Sequence, residues 1–110
     1  MNVIDSSNWT PLLYAIDNNE IEIVKDLIEK YKVSFDDYHG ENRFKPIHRI
    51  AEQGHIVLFD YFKDNLKVNI YQKDSIGLNV LNYASESNDV EMVIHLIEDC
   101  NFKYNKVEEG

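Results

Sequence analysis

Thr10-Pro11-Leu12-Leu13 returns 35 residues later as Lys45-Pro46-Ile47-His48, and after a further 34 as Asn79-Val80-Leu81-Asn82. A period of that length decides the fold class. Each unit is one supersecondary element that cannot bury its apolar face alone, so neighbouring units stack to form the core. Counting from Thr10, Lys45 and Asn79 makes the test stricter. Two steps on lie Leu12, Ile47 and Leu81; fourteen steps on, Val24, Phe59 and Val93; seventeen steps on, Leu27, Phe62 and Leu96. These are the predicted core rungs, and function is then to be sought on a surface rather than in a cleft.

Pro11 and Pro46 stand where a first helical turn begins, a position at which the missing N–H costs nothing and the fixed φ helps. Nine steps into each unit come Asn19, Gly54 and Asn88, residue types suited to a left-handed helix C-cap. A second helix follows. In unit one it carries Ile21, Val24, Leu27 and Ile28 on one face and Glu22, Lys25, Asp26 and Glu29 on the other; unit three repeats the apolar face with Val90, Val93, Leu96 and Ile97. Then comes a period of two, Val33 and Phe35, Val68 and Ile70, Phe102 and Tyr104, which predicts extended chain with one side buried. It runs into the turn formers at 36–40 and 73–77. The unit therefore reads as helix, helix, extended finger, with Val3 and Ile4 placed to cover Leu13 and Ile16.

These residues resemble the ankyrin repeat, whose pattern has a turn-forming Asp and Gly, then Thr-Pro-Leu-His, an Ala pair, Gly-His and an apolar second helix. Asp5, Asp74 and Gly77 match the turn; Thr10, Pro11 and Leu12, then Pro46 and His48, match the tetrapeptide; Ala15, Ala51 and Ala84 match the alanines; Gly54 and His55 match Gly-His. The resemblance implies an all-α ankyrin-repeat solenoid of three stacked helix-turn-helix units with extended finger loops. Residues 1–110 form a single domain in that reading, with repeats at about 5–39, 40–73 and 74–107 and the start of a fourth finger at 108–110. It also implies that His48 and His55 make hydrogen bonds tying loops to helices. The rival tetratricopeptide repeat has a similar period but no finger, and Trp9 is followed by Leu13 and Ile16 where that signature places Gly and Tyr.

Departures from the pattern are informative. Unit three has Asn79, Val80 and Asn82 in place of Thr, Pro and His, which predicts a less well capped first helix. Lys63 stands where the other units have Ile28 and Ile97, so unit two packs less tightly or Lys63 lays its methylenes over the core with its ammonium in water. Asn82, Ser85 and His95 replace His48, Ala51 and Tyr61 of unit two, the polarity a terminal cap needs.

Twenty acidic against eleven basic side chains give a net charge of −9 at pH 7, which repels phosphate backbones and anionic lipid and argues against nucleic-acid and membrane partners. Cys100 is the only cysteine and Met1 to Thr10 has no signal-like pattern, so the expected location is cytoplasmic. No phosphate loop, nucleophile elbow or paired-histidine zinc motif is present. The expectation is a non-enzyme with no catalytic residues, no cofactor and no metal site, and a marginally stable monomer. His95 and Cys100 lie five apart, off the i, i+4 face, and the loop with Asp36, Asp37, His39 and Gly40 lacks the carboxylate pattern of a calcium loop.

Just before each opening position lie Trp9, Phe44 and Leu78, an apolar ladder at the fingers, and seven steps past it lie Asp17, Glu52 and Glu86, an acidic ladder on the first helices. Glu41, Asn42 and Ile76, with Ser6, Ser7 and Ser75, stand at the finger tips. The expected function is a protein-protein interaction module that binds a partner with apolar and basic contact groups on the concave finger and first-helix face, Trp9 and Phe44 serving as anchors. Against this, the ladders are also what finger packing and helix solvation produce. An alternative is a partner- or substrate-recruiting fragment of a larger enzyme or ligase adaptor.

Overall fold

The computed structural model describes residues 10–37 and 44–102; Val3, Ile4 and Tyr104 lie outside them. Unit one is α1 (Pro11–Asp17) and α2 (Ile21–Glu29). Unit two is α3 (Pro46–Gln53) and α4 (Ile56–Asp60), which runs on as a π-helical turn at Tyr61–Asn65. Unit three is α5 (Val80–Glu86) and α6 (Val90–Glu98).

The same two backbone turns recur in every unit. Asn19, Gly54 and Asn88 have φ of 55°, 75° and 60°, and the amide after each donates five residues back, Glu20 to Ala15, His55 to Ile50 and Asp89 to Ala84. Each first helix is thereby closed by a left-handed cap. The second helices end the same way at Lys32, Lys67 and Asn101, with φ of 57°, 60° and 62°, and the next amide reaches six residues back, Val33 to Leu27, Val68 to Phe62 and Phe102 to Leu96. Those bonds set Val33, Val68 and Phe102 into the core, where all three are buried.

At the other end of the first helices, Thr10 Oγ1 accepts from the Leu13 amide at 3.3 Å. Lys45 has no acceptor to offer; its own amide instead donates to His48 Nδ1 at 3.0 Å. The weak cap expected in unit three is corrected. Asn79 Oδ1 accepts from the Asn82 amide and Asn82 Oδ1 from the Asn79 amide, both at 3.0 Å. A carboxamide at each position closes a reciprocal box, and Asn is among the best N-caps.

Six of the nine predicted rungs are fully buried: Leu12, Ile47, Val24, Phe59, Phe62 and Leu96. Leu27, Leu81 and Val93 are only half-buried. Leu81 and Val93 belong to unit three, beyond which no further described helix packs on them. Val90, expected on the buried face, is 66% exposed, and Met92 is buried in its stead. Met92 and Leu96, i and i+4, point inward, matching buried Leu58 thirteen steps into unit two.

Lys63 marks the π-turn. The Leu66 amide reaches back to Tyr61 O, a five-residue step, while Lys63 is partly covered and its ammonium lies 2.7 Å from Asp64. The Tyr31 amide makes the same five-residue step back to Asp26 O in unit one, so this bond is common to the two units.

The first helices pack directly on one another, α1 on α3 and α3 on α5, whereas the second helices meet each other less extensively. Helices that approach on one side and splay on the other make a stack that curves, with the first helices and fingers on its inner side.

Candidate functional site

The finger before unit three is held by one carboxylate. Asp74 Oδ1 accepts from the amides of Ile76 at 3.0 Å and Leu78 at 2.8 Å, and Oδ2 accepts from the Tyr83 hydroxyl. Gly77, at φ 89°, closes the turn through its amide to Asp74 O at 3.1 Å, and Asp74 N donates to Leu78 O at 2.9 Å. Burial pushes the Asp74 carboxyl up, but the Tyr83 hydroxyl and the Leu78 and Ile76 amides outweigh it and hold the group below its ordinary value. The tip held by these bonds presents Ile76 to solvent at 60% exposure.

His48 joins this finger to unit two. With Nδ1 accepting from Lys45 N, its Nε2 must carry the proton, and it donates to Gln72 O at 3.1 Å. The buried ring also stacks on Tyr83, centroids 5.2 Å apart. Desolvation lowers the His48 pKa from its ordinary value, with the Gln72 carbonyl opposing. Neutral imidazole satisfies both nitrogens; a second proton would face the Lys45 amide donor to donor.

On the inner helix face, Arg49 Nε and Nη2 donate to the two oxygens of Asp17 at 2.7 and 2.9 Å, and Nη1 donates to Glu52 at 2.8 Å. Tyr14, Arg49 and Tyr83 occupy the same step of the three units. Sequence reasoning missed this row, although its recurrence four steps past the opening position was legible. Asp17 and Glu52 of the acidic ladder are thus already bridged by a guanidinium. Glu86, at the third rung, is exposed. Tyr83, with burial as the leading cause, then the Asp74 bond and the charges of Asp74, Glu52 and Glu86, is driven well above the ordinary tyrosine pKa.

A family model for the ankyrin repeat matches residues 7–37. A chain of the crystal structure of the yeast ribosomal protein Rps3 in complex with its chaperone Yar1 superposes with a TM-score of 0.75 at 15% identity, over 93% of this chain and 73% of that one. The chain has the ankyrin-repeat fold. A second ankyrin-fold neighbour comes from the Bdellovibrio bacteriovorus predatory endopeptidase Bd0816 in complex with the immunity protein Bd3460, with a TM-score of 0.67 at 21% identity over 87% and 47% of the two chains. Among curated proteins, alpha-latrotoxin-Lt1a of Latrodectus tredecimguttatus and alpha-latrotoxin-Lhe1a of Latrodectus hesperus are each 28% identical over 85 residues, 76% of this chain. The chain spans about 6% of the length of those relatives.

On this ankyrin frame, Trp9, Glu41 and Asn42, with Ser6, Ser7, His39 and Gly40, fall outside the described residues. Phe44 and Leu78 are half-buried, and Phe44 packs against the core, so among the described finger-tip residues the exposed apolar one is Ile76. His55 departs from the role the resemblance implied: its Nε2 is buried without a hydrogen-bond partner, and its backbone amide makes the turn instead. His95 lies between two carboxylates, Nε2 2.8 Å from Asp60 and Nδ1 2.8 Å from Asp99. Cys100 is buried, and burial pushes its thiol up. Among the described residues no helix is long and apolar enough to cross a membrane.

Proposed function

We propose that this chain is a non-catalytic protein-binding module whose partner lies on the inner face made by the fingers and first helices. The observation that carries the reading is the pairing of an Asp74-held tip that exposes Ile76 with the acidic rungs beside it. Between the first two rungs Arg49 bridges Asp17 and Glu52, one positive charge against two negative. At the equivalent step between Glu52 and Glu86 stands Tyr83, which brings no charge. A partner with an apolar side chain for Ile76 and a basic one for Glu52 and Glu86 complements this face, and Trp9, Phe44, Leu78, Glu41 and Asn42 extend the contact in the same proposal. That two structural neighbours come from protein complexes agrees with it; a cytoplasmic monomer is part of the same proposal.

The test is affinity capture with mass spectrometry on wild-type and Ile76→Asp/Glu86→Lys protein, with circular dichroism to show that the fold is kept. The double variant should lose the captured partner. Undiminished capture would remove this face from the account. In a second reading the same face would recruit a substrate or partner for a larger enzyme or ligase adaptor.

A further inference from the structure

The splay of the second helices opens a groove on the outer side, away from the face just described. It is a depression of about 290 Å³ between α4 and α6, lined by Ile56, Glu91, Ile94, His95 and Asp99. The repeat register shows what is unusual about it. Fifteen steps into the units lie Lys25, Asp60 and Ile94; twelve steps in lie Glu22, Val57 and Glu91. Ile94 and Val57 are thus apolar where the other two units carry charge, and they are 47% and 61% exposed. With Val90 and Ile56 they gather apolar surface on the two helices that flank the groove, while α2 carries charge at both steps, Glu22 and Lys25, and exposes Ile23 between them. Charge at these steps satisfies the fold in the other units, so packing within the stack does not account for Ile94 and Val57, and grouped apolar exposure on a soluble domain marks a contact surface.

We infer that this outer groove docks a basic amphipathic helix of another protein. The splayed pair α4 and α6 offers a trough for a third helix, with Ile56 and Ile94 meeting apolar residues one turn apart. The rim chooses the charge. Glu91 and Asp99 flank the apolar floor, and Asp99 holds His95 against it at 2.8 Å; lysines or arginines beside the apolar stripe complement them. A second copy of this chain, at −9, and an anionic lipid surface would both meet like charge.

The probe is a fluorescein-labelled synthetic helix with leucines at i, i+4 and flanking lysines, together with a twin carrying glutamates for the lysines. By fluorescence anisotropy the lysine helix should bind, and the twin should bind at least about tenfold more weakly. Ile94→Lys should weaken binding by about tenfold or more; this variant keeps the fold because Lys25 occupies the same step in α2. Amide NMR shifts should concentrate on Ile56, Glu91, Ile94 and Asp99. Ile76→Asp/Glu86→Lys should leave this binding unchanged, which separates the outer groove from the inner face. Equal binding to Ile94→Lys, shifts confined to the first helices, or sedimentation showing a dimer that Ile94→Lys dissolves would each overturn the proposal.

Discussion

Between units one and two the polar ties lie at the surface: Arg49 grips Asp17 and Glu52, both partly exposed, and the Tyr61 hydroxyl donates to Glu29. Between units two and three a partly exposed contact joins His95 to Asp60, and a buried tie is added, running from the Lys45 amide through His48 to Gln72 O and across the stacked Tyr83 to Asp74. The second junction therefore adds desolvated hydrogen bonds to the kind of surface contact that secures the first. In the first case removal of a partner leaves charges that water can take over; in the second it leaves buried groups with no one to bond. The second junction is also the one that sets the Ile76 tip, so its order and the shape of the inner face are linked.

The comparison breaks most sharply at His48. His48→Ala strips the Lys45 amide and Gln72 carbonyl of their partner and removes a buried ring, which should cost about 2–4 kcal/mol in urea denaturation. A cost under about 0.5 kcal/mol would mean that the buried network is not what holds the junction. His48→Asn, which copies Asn82, should recover the helix cap and only part of the stability.

Acid separates the junctions next. The folded His48 pKa lies below its ordinary 6.5, so the unfolded chain takes up the proton first, and stability falls as pH drops from 6.5 through the folded value. Asp74 is likewise lowered from 3.8; its contribution is intact above 3.8 and is lost as pH falls through the folded value. Thermal melts from pH 8 downward should show the first loss in wild type and not in His48→Gln. An unchanged profile in that variant would assign the loss elsewhere.

A smaller effect is expected at Gly54, where the other units carry Asn. A Cβ there would lie 1.5 Å from Asp89 Oδ2, and Asp89 caps α6 through the Met92 amide. Gly54→Asn should therefore destabilise by about 1 kcal/mol, the worth of a cap, and in an Asp89→Ala background most of that penalty should vanish. Smallest of all, Arg49→Met should cost about 0.5–1 kcal/mol at low salt, and the difference from wild type should shrink near 1 M salt, where screening acts within about 3 Å. A salt-independent cost would place Arg49 with the buried ties.

How much was legible follows from what each feature depends on. The first-helix turns were readable because Asn and Gly announce a left-handed residue. The equivalent turns at Lys32 and Lys67 were not, since nothing in a lysine signals positive φ and the turn is enforced by the 6→1 amide bond and by the burial of Val33 and Val68. Val90 was misplaced because periodicity sets a stripe's spacing but not its rotation about the helix axis; the packing of Met92 and Leu96 against unit three's neighbours set that. The acidic ladder was found residue by residue, yet its pairing with Arg49 depends on a contact 32 positions apart, which register makes possible and only stacking brings about.

By itself the sequence determined the period, the helix pairs, the finger positions and most of the core, because these rest on local chemistry repeated at a fixed step. Tertiary structure decided which rungs are sealed, how each junction is tied and where the outer groove opens. Those depend on how one unit leans on the next, and curvature is a property of the stack that no single repeat contains.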